Sequence, residues 1–288
     1  MIQTSGRAYG IALVAAATVL WSTAGLYVRL LDLDVWTIQA WRSLFAALSL
    51  FALVFVDKGR QAPHAVAAIG WPGLAAVPIS AISMICYVAA LKLTTVANVM
   101  IVYATVPFVA AAVSFLWLGE RIKRRILIAS AVALAGIVLM AGAATRPQDI
   151  AGDAISLLMT ATFAVLLVMG RRYPSLAMAP VNALSAALCA IVCWPLMSGG
   201  TPDLPEILIL AVFGATTTGL AYLLFLTGAR HIPSSEAGLI GLLDVVLGPL
   251  WVWLGFGEEP GLLAMIGGGV VLAAVLWYLS DGVRRRSA

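Results

Sequence analysis

The chain has 288 residues, of which 62% are hydrophobic and 10% are charged, and its formal net charge is +4. A water-soluble domain carries roughly 25% charged residues, so this composition excludes a soluble globular protein. The apolar runs are about 20 residues long and do not alternate strictly, which indicates membrane-spanning helices and not barrel strands of about 10 residues. Because basic residues gather at the cytoplasmic ends of such helices, the positive charge does not indicate nucleic-acid binding.

The apolar pattern predicts an all-α membrane protein with ten transmembrane helices. Short polar loops rich in Pro, Gly and Asp separate the apolar segments and leave no room for a soluble domain. The predicted spans of the first half are Ala8–Leu30, Val35–Val56, Ala67–Leu91, Thr95–Leu118 and Ile126–Ala143, and those of the second half are Gly152–Gly170, Met178–Ser198, Glu206–Gly228, Ser234–Phe256 and Gly261–Ser280.

The distribution of Lys and Arg predicts the sidedness of these spans. If the N-terminus is cytoplasmic, thirteen of the 17 basic residues lie on cytoplasmic segments, whereas Arg29, Lys92 and Arg146 lie on outer segments and Arg42 lies within a span. This asymmetry agrees with the positive-inside rule. We therefore predict a multi-pass protein of the plasma membrane, the inner membrane in a bacterium, with both termini in the cytoplasm.

An internal repeat divides the chain into two related halves. The stretch Thr94–Glu120 returns 138 residues later at Ile232–Glu258, and both copies close on a Gly-Glu pair. Upstream, Gly10…Trp21…Arg29 corresponds to Gly152…Phe163…Arg171 with an offset of 142. Since five spans per half is an odd number, the second repeat (147–288) must be inverted relative to the first (1–146). Inverted repeats are typical of secondary transporters with a binding site near the membrane midplane.

Several residues give the chain a family resemblance. Trp21-Ser22, Arg42, Pro107 and the closing Leu118-Gly119-Glu120, together with the five-plus-five repeat, resemble the EamA type of the drug/metabolite transporter superfamily. The resemblance implies an exporter of amino acids and related metabolites, and within the superfamily the chain is most similar to bacterial aromatic amino acid exporters. Pro107 corresponds to Val245, so the resemblance predicts a straighter ninth span, with Pro249 as a displaced kink.

Two charged residues lie well away from the ends of their predicted spans. Asp244 is near the middle of span nine, where a carboxylate costs about 2.5–3.5 kcal/mol and is expected to face a cavity or a partner. It is a candidate for binding a substrate amino group or a coupling proton, or for locking helices as a hydrogen-bonded acid. Arg42 lies roughly 11–12 Å inside span two. It is a candidate for binding a substrate carboxylate, although the nearby Trp36 and Trp41 favour helix locking or snorkelling.

Polar and aromatic residues at matching depth complete the predicted substrate site. Taken singly, such side chains more often pack between helices than line a pocket, but together they suit an amphipathic organic solute in a central midplane cavity. With Arg42 and Asp244, the predicted substrate-binding residues are Trp21, Ser22, Ser83, Tyr87, Tyr103, Phe163 and Thr217.

Other functions receive less support from the sequence. His64 and His231 are far apart and the three cysteines form no metal-ligand motif, so we expect no metal, no cofactor and no enzymatic activity on lipid substrates. The alternative function is a proton-coupled multidrug or metabolite antiporter. The small members of that superfamily rely on an acid in the first span, which is absent here, although Asp244 could replace it. The expected partners are a small-molecule substrate and membrane lipid. Glu120 and Glu258 are predicted to be solvated at the membrane interface.

Overall fold

The computed structural model describes residues 2–119, 124–141, 147–198, 200–232, 237 and 240–284, and every regular element in them is a helix. Within these ranges, seven helical segments are long and apolar enough to cross a membrane, and three shorter apolar helices accompany them. The ten segments coincide with the ten predicted spans. Large apolar side chains such as Leu116 and Leu254 are 81% and 69% exposed, as expected of surfaces that face lipid and not water.

The helix bounds follow the order of the predicted spans. The helices of spans one to five are Ile2–Ser22 with Ala24–Leu30, Val35–Lys58, Gly70–Leu93, Val96–Tyr103 with Val106–Leu118, and Arg124–Ala141. Those of spans six to ten are Pro147–Arg172, Met178–Cys193, Leu204–Gly214 with Ala221–Ala229, Leu243–Phe256 and Leu262–Arg284. A π-helical turn at Ala215–Leu220 joins the two parts of span eight, and a short helix at Ala62–Ala67 precedes span three.

Spans four and nine are interrupted at equivalent positions of the repeat. Span four breaks at Ala104–Thr105, just before Pro107. Span nine breaks at Leu242, which the offset of 138 pairs with Ala104. Here the Val245 N–H donates to the Leu242 carbonyl at 3.1 Å. The absence of a proline at position 245 therefore does not give an uninterrupted ninth span. Pro249 lies inside the helix that follows the break.

The helix ends of the repeat also match. Gly119 and Gly257 follow the last residues of spans four and nine with φ values of +68° and +65°, a left-handed conformation that glycine adopts without a steric penalty. Each N–H donates to the carbonyl four residues earlier, that of Phe115 or Trp253, which caps the helix. Glu120, the partner of Gly119 in the repeated pair, lies outside the described residues.

The glycines that begin the repeat pack against equivalent segments of the opposite half. A Cβ atom on Gly10 would lie 2.9 Å from Ile232 Cγ2, and one on Gly152 would lie 2.9 Å from Thr94 Cγ2. Thr94 and Ile232 are themselves related by the offset of 138. The two contacts are thus copies of each other, and each requires a residue without a side chain.

The two halves do not form separate cores. Span one packs mainly on span eight, and span three packs mainly on span six. Span two packs on span seven and span five on span ten, while span four packs mainly on span six and also contacts span nine. The largest buried cluster draws residues from both halves, including Leu31, Leu91 and Met100 from the first and Phe213 and Val252 from the second. The described residues therefore belong to one helical bundle, in which polar side chains of both repeats can meet.

Candidate functional site in the helix bundle

Glycines bring spans two and eight close together around Arg42. A Cβ atom on Gly214 would lie 2.4 Å from the Arg42 carbonyl oxygen, and one on Gly219 would lie 2.5 Å from Ser49 Oγ. Between these glycines the eighth span forms its π-helical turn. Such turns re-aim side chains and occur frequently at functional sites. This local geometry presents Phe213 and Thr218 to Arg42.

The Arg42 side chain is buried and only partly satisfied. The residue is 7% exposed, its guanidinium carbon lies 4.6 Å from the centre of the Phe213 ring, and Nη2 donates to Thr218 Oγ1 over a long 3.4 Å. Nε has no hydrogen-bond partner among the described residues. A buried guanidinium with an unused donor is suited to bind an anionic group such as a carboxylate. The ring contact also agrees with the helix-locking alternative.

Asp244 occupies the first turn of the helix that follows the break in span nine. The residue is 9% exposed, and its Oδ1 has no partner among the described side chains and backbone groups. A negative charge at this position is favoured by the helix dipole. Because the break places the carboxylate at a helix N-terminus, the helix dipole stabilises the charge of Asp244, and Oδ1 remains an acceptor without a partner among the described residues.

Tyr87 lies near both charged residues. It lies within electrostatic range of both Arg42 and Asp244, and Asp244 is also within that range of Tyr103. The Tyr103 ring in turn meets Phe163 at a centroid separation of 5.6 Å. Five of the predicted site residues therefore lie in one region of the bundle, which contains a cation, an anion and three aromatic rings.

Ser83 and Thr217 border this group. Ser83 lies one turn before Tyr87 and donates to the Met159 carbonyl at 3.4 Å, so it joins span three to the helix that carries Phe163. Thr217 donates to the carbonyl of Phe213 at 2.6 Å. Because the Thr217 hydroxyl already donates its proton within span eight, it can bind a ligand only by accepting a hydrogen bond.

Trp21 and Ser22 have their described contacts elsewhere. The Trp21 ring packs on Phe225 at 5.1 Å. Ser22 Oγ accepts a hydrogen bond from Trp251 Nε1 at 2.9 Å and donates to the Val19 carbonyl. These contacts tie span one to spans eight and nine beside the break at Thr23. The structure thus places these two predicted residues in helix packing and not against Arg42 or Asp244.

A polar network that the sequence did not reveal lies at the predicted outer end of the bundle. Arg29 Nε donates to Glu258 Oε2 at 2.7 Å, and its two other nitrogens donate to the carbonyls of Leu91 and Thr94 at 2.6 and 3.0 Å. Glu258 Oε1 accepts from the Val96 N–H at 3.0 Å. The Glu258 side chain is 22% exposed, so this interfacial carboxylate is half-buried in an ion pair and not fully solvated.

Asp153 is a second buried carboxylate that the sequence analysis missed. It is 8% exposed, and its Oδ1 accepts from Thr94 Oγ1 and Asn98 Nδ2, both at 3.2 Å. Asp153 is the second residue of the predicted span six, Gly152–Gly170. The only available sequence signal was Gly152, whose close contact with Thr94 draws Asp153 into the bundle.

The described residues contain no group of three or more His, Cys, Asp or Glu side chains placed to hold a metal ion. The polar groups in the bundle are instead hydrogen-bonding and charged side chains with aromatic neighbours. Such a site can bind an organic solute but has no evident nucleophile with an activating base.

Comparison with known proteins agrees with this architecture. The sequence profile of the EamA-like transporter family matches residues 8–142 and again residues 150–280. An uncharacterized transporter of Archaeoglobus fulgidus is 26% identical over 269 residues, which cover 93% of this chain and 95% of the relative. A protein of known crystal structure superposes with a TM-score of 0.67 over 96% of this chain and 98% of its own at 19% identity, a likeness that shows the fold alone.

The two-repeat bundle of ten apolar helices defines the molecule as a multi-pass membrane transporter. With two profile matches that together cover most of its length, the chain belongs to the EamA-like transporter family. The family and the archaeal relative point to a transporter and not to an enzyme.

Proposed function

We propose that this protein exports small zwitterionic metabolites, in particular aromatic or other apolar amino acids, by alternating access around the Arg42–Asp244 group. The observation that carries the proposal is the presence, within electrostatic range of Tyr87, of one partly satisfied cation and one partly satisfied anion inside a membrane bundle. Both charges are costly in lipid, so a ligand that neutralises both would lower the free energy of the site.

The chemistry of the group matches a zwitterion with an apolar side chain. Arg42 Nε is available for the substrate carboxylate, and Asp244 Oδ1 is available for the substrate ammonium. Tyr103, Phe163 and Phe213 supply aromatic surface beside these charges. Aromatic pairs contribute about 0.5–1.5 kcal/mol beyond the area they bury, which favours a substrate with a ring of its own.

The repeat supports alternating access. Spans four and nine carry equivalent breaks, and discontinuous helices at the repeat interface are the usual mobile elements of inverted-repeat transporters. The Arg29–Glu258 pair joins span one to the end of span nine, so we infer that it restrains these two spans at the predicted outer end. Export as the direction of transport follows from the resemblance to amino acid exporters.

The proposed setting is the plasma membrane, in a bacterium the inner membrane, with both termini cytoplasmic. The thirteen-to-three distribution of basic residues supports this orientation. The proposed repeat boundaries are residues 1–146 and 147–288. The halves are sequence units, and their helices interleave in one bundle.

A proton-coupled multidrug or metabolite antiporter is the second candidate function. It is favoured by the free Oδ1 of Asp244, since a buried carboxylate that alternates between proton and substrate is a simple coupling device. A lipid-modifying membrane enzyme is a distant third, because such enzymes place clusters of acids, His residues or metal ligands together.

The test of the proposed function is uptake of radiolabelled phenylalanine, tryptophan, threonine and alanine into proteoliposomes that contain the purified full-length protein, with and without a pH gradient. We expect phenylalanine and tryptophan to enter faster than alanine, and empty liposomes to show no saturable uptake. Entry of cationic drugs in place of amino acids would support the multidrug alternative. Failure of all four amino acids to enter would reject the amino acid assignment.

A further inference from the structure

We propose that Asp153 is a proton-binding site and that its protonation releases the first half of span four from span six, which couples a proton to transport. The coupling part of this inference rests on the proposed transport function, whereas proton binding at Asp153 does not. The proposal depends on three observations: a carboxylate with one unpartnered oxygen, a polar pocket beside it, and a mechanical connection to the aromatic wall of the Arg42–Asp244 group.

The two oxygens of the Asp153 carboxylate have different surroundings. Oδ1 accepts hydrogen bonds from Thr94 and Asn98, both at 3.2 Å, whereas Oδ2 is buried without a partner among the described residues. Burial of an unpartnered charged oxygen is costly. A proton on Oδ2 would remove the negative charge and would leave both hydrogen bonds to Oδ1 in place, although as weaker bonds to a neutral acceptor.

A route for the proton lies next to Asp153. A polar pocket of about 320 Å³ opens at the predicted outer end of the bundle, and Thr94, the hydrogen-bond donor to Asp153, is one of its lining residues. The remaining lining residues are Arg29, Lys92, Leu93, Thr95, Asp149 and Glu258. The pocket therefore approaches the Asp153 carboxylate to within one hydrogen-bonded side chain, that of Thr94.

The charged groups around the pocket come from every neighbouring span. Arg29 of span one is bonded to Glu258, and Lys92 of span three donates to the Leu31 carbonyl at 2.8 Å. Asp149 lies one turn before Asp153 on span six. Because the Asp149 and Asp153 carboxylates are within electrostatic range of each other, uptake of one proton at Asp153 would relieve their repulsion.

The two helices joined by Asp153 also carry the wall of the proposed substrate site. Asn98 belongs to the eight-residue helix Val96–Tyr103, which is bounded by the loop at Thr94–Thr95 and by the break at Ala104–Thr105. Its last residue, Tyr103, packs on Phe163 of the helix that carries Asp153. When protonation weakens the Asn98–Asp153 contact, this short helix can move as a unit, and Tyr103 would move with it.

The first experiment measures proton binding without any substrate. Infrared difference spectra of the purified full-length protein in lipid are recorded between acidic and alkaline buffer, and the C=O stretching band of protonated carboxyl groups is compared among variants. We expect part of this band to be lost in Asp153→Asn and retained in the control Asp57→Asn, whose exposed carboxylate pairs with Lys58. An unchanged band in Asp153→Asn would overturn the proposal.

The second experiment tests whether Asp153 couples a proton to transport or only supports the fold. Asparagine keeps the oxygen that Thr94 and Asn98 bond, so Asp153→Asn is expected to fold. In proteoliposomes it should exchange phenylalanine at the wild-type rate but should not accumulate it when a pH gradient is imposed, whereas Asp57→Asn does both. Loss of exchange together with accumulation, or accumulation at the wild-type level, would contradict the coupling role. If Asp153 titrates but no amino acid moves in the wild type, the proton site stands and the proposed function fails.

Discussion

Arg42 and Asp244 are buried residues of opposite charge, and each retains a hydrogen-bonding atom without a partner among the described residues. If the substrate is a zwitterion, its two charges should be recognised separately. We predict that Asp244→Asn weakens phenylalanine binding by about ten- to one-hundred-fold, since a hydrogen bond to a charged group contributes about 1.5–3 kcal/mol. Binding of 3-phenylpropionate, which has no ammonium group, should change little. Affinities can be measured by calorimetry with the protein in detergent.

A second ligand and a control variant test whether the loss of affinity comes from the Asp244 carboxylate. Phenethylamine, which has no carboxylate, should lose as much affinity as phenylalanine in Asp244→Asn. Asp57→Asn at the exposed end of span two should leave the affinity for all three ligands unchanged. An equal loss for 3-phenylpropionate would mean that Asp244 maintains the helix packing and does not contact the ammonium group.

At the scale of elements, the approach of spans two and eight decides where Arg42 lies. A methyl group on Gly214 would meet the Arg42 carbonyl oxygen at 2.4 Å, so the helices would have to separate. We predict that Gly214→Ala lowers stability by about 1–3 kcal/mol, the usual cost of overpacking, and that phenylalanine binding weakens with it. The midpoint of thermal unfolding in detergent measures the first effect.

Gly170→Ala is the control for this substitution. Gly170 also lies inside a helix, but no atom lies within 4 Å of its added Cβ. Alanine has the higher helix propensity, so this variant should be neutral or slightly more stable than the wild type. Equal destabilisation of both variants would indicate that the close contact at Gly214 is not what orders span eight.

At the scale of the whole molecule, the Arg29–Glu258 pair connects the two halves at the predicted outer end. Glu258→Gln removes the charge that joins Arg29 to the end of span nine. We predict that a cysteine introduced at Leu93, which lines the outer pocket, then reacts faster with a membrane-impermeant maleimide added outside intact cells. The native Cys86, Cys189 and Cys193 are buried and would be replaced by alanine beforehand.

The same labelling experiment tests the orientation of the chain. In the proposed topology, the reagent must reach the Leu93→Cys variant from outside in intact cells and not from the inside of inverted vesicles. Glu206→Gln, at the exposed N-terminal end of span eight, is the control and should leave the rate unchanged. Labelling only in inverted vesicles would mean that the chain has the opposite sidedness. An unchanged labelling rate in Glu258→Gln would mean that the Arg29–Glu258 pair does not restrict access to the outer pocket.

The sequence by itself determined the ten spans and the repeat, because apolar length and periodic small residues are local properties that lipid selects directly. Gly119 and Gly257 were recognisable as helix ends for the same reason, since a left-handed turn needs glycine whatever surrounds it. The sequence also selected Arg42 and Asp244, because charge inside an apolar run is costly wherever the helix lies.

Only the tertiary structure decided how these residues are grouped. Trp21 and Ser22 are at the predicted depth but face Phe225 and Trp251, because the direction of a side chain around a helix depends on which neighbours the helix has. Glu258 was expected at a solvated interface and Asp153 was not singled out, yet contacts with residues 55 to 229 positions away hold both side chains within the bundle. Hydrogen bonds across such separations produce no periodic pattern in the sequence, so they can be identified only from the packing of the spans.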